Sequence, residues 1–227
     1  MCGRYAFFAP KDAIIRAFGL SDGPGFPGLP LRYNIAPTQA VPVVRIATGG
    51  DARELVPMRW GLIPSWADDP GIGSRMINAR AETVREKPSF RTAFNQRRCA
   101  IPASGFYEWT QAAGGKQPHF ICRVDRAPLA LAGLWETWTS KGGEETLTTC
   151  TIITTAANAF MQSLHHRMPV ILDGFQLDTW LDGSVTPNAI AAILKPAADD
   201  LLETWPVSKR VNSPGNDGAR LIEAIAD

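Results

Sequence analysis

A cysteine stands second in this chain, in Met1-Cys2-Gly3-Arg4. If Met1 is removed, Cys2 carries an α-amine and a thiol on adjacent carbons, a pair no internal residue offers. An α-amine has a reference pKa of about 7.7–8.0, so roughly 10–30% is unprotonated near neutral pH, against on the order of 0.1% for a lysine. Such an amine attacks aldehydes, and the thiol can then close a five-membered thiazolidine ring. The rival reading of Cys2 is an accident of position. Glu108 lies among aromatics in Gly105-Phe106-Tyr107-Glu108-Trp109. A carboxylate in such low dielectric has a raised pKa, which suits proton transfer; alternatively it points to solvent while its neighbours pack. His165 and His166 end a predicted helix, where the dipole favours a cation. An acid-base histidine is better placed there than at His119, which lies in a hairpin strand. Asn78 and Arg80 share a face if their segment is extended. One could orient a reacting group while the other holds a phosphate; equally, they form a turn asparagine and a surface arginine. Trp60, Trp66 and Pro37 offer flat surfaces for base stacking, or simply fill a core.

These residues need elements to hold them. Tyr5-Ala6-Phe7-Phe8 reads as a strand that anchors the start of the chain. Pro10 to Phe18 reads as a short amphipathic helix stopped by Gly19, and residues 21–30, rich in Gly and Pro, as loop. Ala40 to Ala47 and Glu54 to Trp60 read as strands around a turn at 48–51, with Pro42 and Pro57 marking edges or irregular pairing. Residues 61–75 form a long loop that carries Trp66, a pattern often functional. Residues 76–83 lead into a broken helical region interrupted at Pro88. Strands follow at 97–103 and 105–110, a hairpin turn at Gly114-Gly115 leads back into 118–124, and 129–138 and 146–155 continue the sheet. Helices are predicted over 156–165, 174–182, 187–195 behind a Thr186 cap, and 217–226. The pattern predicts one α+β domain over 1–227, with antiparallel sheets curling into a barrel-like core and helices outside.

The 227 residues, 45% hydrophobic and 20% charged, describe an ordinary globular chain with room for a sizeable core. No apolar run approaches the ~20 residues a membrane helix needs, and the N-terminus lacks a secretory pattern. Cys2, Cys99, Cys122 and Cys150 include no CxxC pair, so zinc is not expected; no other cofactor is expected either. Three sit in strand-like apolar segments, as buried thiols in a reducing, cytoplasmic compartment would. Net charge is only +1 but uneven. Residues 1–98 hold 14 Lys and Arg against 8 Asp and Glu, and 17 of the 23 basic residues are arginine. Arginine's planar fork suits phosphate, so a nucleic-acid surface on the first half competes with an ordinary solvated face.

The stretches MCGRY, RYNIAP, WGLIPSWA, INARAET, CAIPASGFYEW, ITTAAN, HHRMPVIL and VNSPGNDG run in order from residue 1 to about 218. In them the chain resembles the SOS-response-associated peptidase (SRAP) family, the abasic-site processing proteins. The resemblance implies binding to single-stranded DNA and a covalent bond to abasic sites that shields them from strand cleavage. It implies Cys2 as nucleophile after Met1 removal, Asn78 as the residue orienting it, Glu108 as acid-base carboxylate, and His165 as the group that opens the sugar ring. Arg4, Arg80 and Arg167 match phosphate-contacting positions. Asn34, Pro37, Trp66 and Thr154 fall in matching DNA-facing segments. One position departs: an acidic residue often follows the family's catalytic histidine, and here it is His166. The expected partner is abasic single-stranded DNA, with no membrane, a monomeric state and nucleoid association when bound. Two rivals remain at this level. One is a cysteine peptidase or amidohydrolase built on Cys2 and His165, in its most modest form removing Met1. The other is a non-enzymatic single-strand binding module.

Overall fold

The computed structural model of the protein describes residues 2–22 and 30–225. Most of the loop expected at 21–30 therefore lies outside the described residues.

Five strands close into a barrel. They are β3 (Ala40–Ile46), β4 (Arg53–Trp60), β6 (Arg98–Ala103), β9 (Leu129–Thr139) and β10 (Thr146–Ala156). Antiparallel pairings run β4–β3–β6–β9–β10, and a short parallel pairing of β10 with β4 at Thr149↔Arg59 and Cys150↔Trp60 closes the ring. The β-branched run Thr-Leu-Thr-Thr-Cys-Thr-Ile-Ile-Thr-Thr suits β10, which pairs on both edges. Pro42 and Pro57 face each other across β3 and β4. β6 joins β3 only at Val44 and β10 joins β4 only at 59–60, so neither proline removes a donor that a third strand needs. Gly133 lies where β6, β9 and β10 crowd: a Cβ there would sit 2.1 Å from Ile101 Cδ1 and 2.8 Å from the Thr151 carbonyl oxygen.

A second, open sheet has the order β13 (Leu202–Pro206), β8 (Gly115–Arg123), β7 (Gly105–Ala112), β1 (Tyr5–Phe7), β2 (Arg32–Ile35). β1 is thus an interior strand, with Tyr5 opposite both Phe106 and Ile35. The expected anchoring of the chain's start is borne out. Tyr5 also packs edge-on against Trp60, centroids 5.4 Å apart, which ties this sheet to the barrel. Trp60 is buried, and its indole donates to the Ile77 carbonyl at 2.9 Å. Truncating such a side chain costs about 3–5 kcal/mol.

Past Cys150, β10 changes neighbours. β5 (Asn78–Arg80) pairs with Ile152–Thr154 in parallel, and β11 (Arg167–Pro169) pairs with Thr154–Ala156. β12 (Ile171–Leu172) joins β9. This change brings Asn78, Arg80, Thr154 and Arg167 onto neighbouring strands.

Helices pack outside. α1 (Lys11–Phe18) buries Ile14 and Phe18 and ends at Gly19 with φ +59°, as expected. α2 spans Arg91–Gln96. The predicted helix over 156–165 shrinks to α3 (Ala159–Gln162). Ala156 stays in β10 opposite Arg167, and the Asn158 side chain caps the turn by accepting from Met161 N at 2.9 Å. α4 (Gly174–Leu181) starts with a capping box of Asp173 and Gln176. α5 (Pro187–Ala192) has the expected Thr186 cap but stops short of 195, since Lys195 precedes Pro196 and the α conformation is disfavoured there. The helix expected over 217–226 is not formed over its described part. A single 3-10 turn, Ala219–Leu221, follows Gly218 at φ +117°, and Ala224 pairs with Val207 instead.

Candidate active site

Cys2 lies just ahead of β1 and is fully buried. The Asn78 side-chain amide donates to its backbone carbonyl at 3.0 Å. Asn78 and Arg80 point to the same side of β5 while Ala79 between them is buried, as strand alternation requires. The Asn78 side-chain oxygen, Oδ1, is buried with no hydrogen-bond partner among the described residues. Burial pushes the Cys2 thiol well above its ordinary pKa. The charge of Glu108 adds to the rise, and that of the chain's amino terminus opposes it.

Glu108 sits on β7 and is 3% exposed, so the carboxylate is on the inside, as the low-dielectric reading expected. Burial raises its pKa; the amino terminus acts the other way, by charge and by hydrogen bonding. His119 is its cross-strand neighbour on β8, bonded through Nε2 to Thr110 Oγ1 at 3.1 Å. His119 does not line the cleft into which Glu108 opens.

That cleft, about 500 Å³, is lined by Glu108, Trp109, Lys116, His165 and Asn212. His165 follows the short α3. His165 Nδ1 meets the Arg167 backbone twice, at 2.9 Å from its nitrogen and 3.2 Å from its carbonyl oxygen, so it accepts from the first in one tautomer and donates to the second in the other. Burial lowers the His165 pKa, with the amino terminus and His166 adding to the effect. His166 stacks on His165 with centroids 4.3 Å apart. Glu108 is therefore biased toward its protonated form and His165 toward neutrality, the divergence expected of an acid-base pair.

The basic residues divide by environment. Arg80 is exposed at the end of β5. Arg167 is largely buried and donates to the Thr154 carbonyl at 2.6 Å and to Glu82. Thr154 itself is buried. Arg4 donates from Nη1 to Asn34 Oδ1 and to the Val211 carbonyl, both at 2.7 Å. Asn34 is 1% exposed, and its amide donates to the carbonyls of Ser213 and Asn216 at 2.9 and 2.7 Å. Both side chains hold the 211–216 loop. Pro37 is half-buried beside Thr38, whose φ is +70°. Trp66 stands 59% exposed on a turn closed by Ala67 N to the Pro64 carbonyl. Neither lines the cleft. Trp109, Lys116 and Asn212 line it but were not singled out as site residues. Trp109 and Asn212 lie in the motifs GFYEW and VNSPGNDG, yet their partnership, Trp109 Nε1 to Asn212 Oδ1 at 2.8 Å, crosses 103 residues.

All four cysteines are free and buried. Among the described residues no cluster of His, Cys, Asp and Glu could hold a metal, and no helix is long and apolar enough to cross a membrane.

The chain is similar to known proteins. The family model for "SOS response associated peptidase (SRAP)" matches residues 1–214. The abasic site processing protein YoqW of Bacillus subtilis is 43% identical over 230 residues, covering 99% of this chain and all of that one. The abasic site processing protein HMCES of Gallus gallus is 35% identical, covering 99% of this chain and 78% of its own. A solved structure from Bacteroides thetaiotaomicron superposes with a TM-score of 0.77 at 28% identity, covering 86% of this chain and 85% of that chain. With its eight motifs in order along the chain and a match that spans residues 1–214, the chain belongs to the SRAP family, whose relatives here are abasic site processing proteins.

Proposed function

We propose that the protein binds single-stranded DNA and forms a covalent thiazolidine crosslink with abasic sites through Cys2 after Met1 is removed. The observation that carries this reading is the Asn78 bond to the Cys2 carbonyl, made across 76 residues, beside a cleft lined by Glu108 and His165. Glu108 and His165 share that cleft, and the charge of Glu108 reaches the Cys2 thiol.

The reaction runs as follows. The abasic sugar is mostly a closed hemiacetal. The His165 imidazolium, made more acidic by its lowered pKa, gives a proton to the ring oxygen as the ring opens, and the anomeric hydroxyl gives its own proton to solvent to leave the aldehyde. The Cys2 α-amine attacks the aldehyde carbon, and loss of one water leaves an iminium. Glu108, its pKa raised, shuttles protons to and from the nitrogen and the departing oxygen. The thiol then adds to the iminium carbon and gives up its proton. The adduct is protein plus DNA minus one water. Asn78 keeps Cys2 within reach, which is proximity catalysis. Arg80 and Arg167 serve phosphates and Trp66 a base face. Arg4 and Asn34 act through the 211–216 loop that they hold.

The peptidase alternative has less support. A thiolate nucleophile needs a lowered pKa, and burial moves the Cys2 thiol the other way. Ring closure onto an adjacent iminium asks less of the thiol. A monomer in the cytoplasm, nucleoid-associated when bound to DNA, fits this reading.

The test is incubation of Met1-processed protein with single-stranded DNA carrying one abasic site, followed by denaturing electrophoresis and intact mass measurement. A heat-stable band at protein plus DNA minus one water is expected. Absence of any covalent species overturns the reading.

A further inference from the structure

Glu82 ends the INARAE stretch against the solvent side of Arg167. The pair is two-pointed, Arg167 Nη1 to Glu82 Oε1 at 2.5 Å and Nη2 to Oε2 at 2.9 Å. Arg167 Nη2 also donates to the Thr154 carbonyl at 2.6 Å and lies 3.4 Å from its hydroxyl. Arg167 Nε is buried with no hydrogen-bond partner among the described residues. The Arg167 side chain is 11% exposed and that of Glu82 50%. The outward edge of the guanidinium is therefore the Nη edge, and a carboxylate already occupies it.

Arg80 lies two residues before Glu82. The hydrogen bond from Arg167 holds the Glu82 carboxyl below its ordinary pKa, with the charges of Arg167 and Arg80 adding to the effect. Glu82 is thus an anion among the arginines read above as phosphate contacts, and it carries the phosphate's own sign. A carboxylate and a phosphate diester present the same pair of acceptor oxygens to an arginine fork.

We infer that Glu82 holds the place of one backbone phosphate in DNA-free protein, and that the incoming phosphate takes the Nη edge of Arg167 while Glu82 turns to solvent. The inference rests on the DNA-binding reading above and adds to it a residue that sets affinity. Glu82 lowers affinity for every single strand, because its ion pair must break before DNA can use Arg167. A lone phosphate competes poorly with a tethered carboxylate. A strand that also engages Arg80 and a stacking surface displaces it.

The test is fluorescence anisotropy with a labelled, undamaged single-stranded oligonucleotide, which keeps the crosslinking chemistry out of the measurement. Wild type, Glu82→Gln, Arg167→Ala and the double variant form a cycle. Glu82→Gln is expected to bind about three- to tenfold tighter, the range a partly exposed ion pair and one removed like charge allow. The gain disappears when Arg167 is already alanine. Glu82→Ala shifts affinity the same way, so the result does not hang on one substitution, and thermal melts check that each variant is folded. If both Glu82 variants weaken binding toward the Arg167→Ala level, Glu82 positions Arg167 for DNA and the inference is overturned. Unchanged affinity, or a gain that persists without Arg167, overturns it too. Wild type that fails to bind the oligonucleotide at all is a different outcome, which removes the DNA reading and this inference with it.

Discussion

At Cys2 the amine and the thiol have separable consequences. Cys2→Ser, after Met1 removal, keeps the amine and loses the better nucleophile. In the proposed reaction it still forms a Schiff base at abasic sites, but one that heat reverses, borohydride traps and β-elimination partly diverts into strand cleavage. Wild type keeps the strand intact. Denaturing gels with and without borohydride distinguish the two. A Cys2→Ser adduct as heat-stable as wild type's would mean that the thiol is not in the linkage. Glu108→Gln slows both proteins, since proton transfer at the amine is common to both, by about 10²–10⁴-fold. The same variant has a stability signature. Burial raises the Glu108 pKa above 4.5, so the folded protein keeps a proton that the unfolded chain has released. Above the raised folded value the buried carboxylate is charged and destabilises. As pH falls through that value stability returns, and the recovery is complete near the unfolded value of about 4.3. Melts from about pH 4 to 8 should therefore show Tm of Glu108→Gln gaining on wild type as pH rises through that window. A constant difference would mean that this carboxyl feels no desolvation.

At the scale of elements, the site depends on segments that carry no chemistry themselves. Asn34 on β2 holds the 211–216 loop through three carbonyls and positions Arg4 through its own oxygen. Asn34→Ala should cost about 1–3 kcal/mol, because buried acceptors lose their donor. Hydrogen exchange should rise in 210–217 before any other segment. An Asn34→Ala protein with normal exchange there but weaker DNA binding would instead return Asn34 to a direct contact. This role was not legible in the sequence. RYNIAP and VNSPGNDG both stood out, but nothing in either says that one is the other's anchor. Patterns with a local cause were legible: the Gly19 stop, the Thr186 cap, the 114–115 hairpin and the two long strands of β9 and β10. Patterns decided by tertiary pairing were not. The apolar run from 156 to 165 looks helical, yet Ala156 is claimed by β11, and Ala224 is claimed by Val207. β13 was missed because it is a five-residue strand without clean alternation, defined by its pairing with β8.

Across the whole molecule, the change of neighbours along β10 puts the first half of the sequence where its charge can be used. Asn78 and Arg80 arrive on β5, Arg167 on β11, and Cys2 is brought alongside by the second sheet. The residue types of the site were legible as types: a buried carboxylate among aromatics, a histidine at a helix end, an asparagine and an arginine on one strand face. Their convergence follows from a barrel closure that no local pattern announces. The excess of basic residues before position 99 does not by itself make a binding face, because arginines differ in what already holds them. Arg45 pairs with Glu54, Arg97 with Glu136 and Arg53 with Asp178, so these charges are partly spent within the fold. Arg80 is exposed at the end of its strand. If it meets a phosphate in the bound state, Arg80→Ala should weaken binding to undamaged single strands alike, whatever their sequence. The salt dependence should also flatten, the slope of log K against log salt falling by about 0.7 for one lost contact on a single strand. Arg45→Ala, by contrast, should leave that slope unchanged. Anisotropy titrations at several salt concentrations, with single-stranded and duplex oligonucleotides of equal length, measure both. An Arg80→Ala slope equal to wild type's would take Arg80 off the DNA path, and tighter binding to duplex than to single strands would remove the stacking role proposed for Trp66.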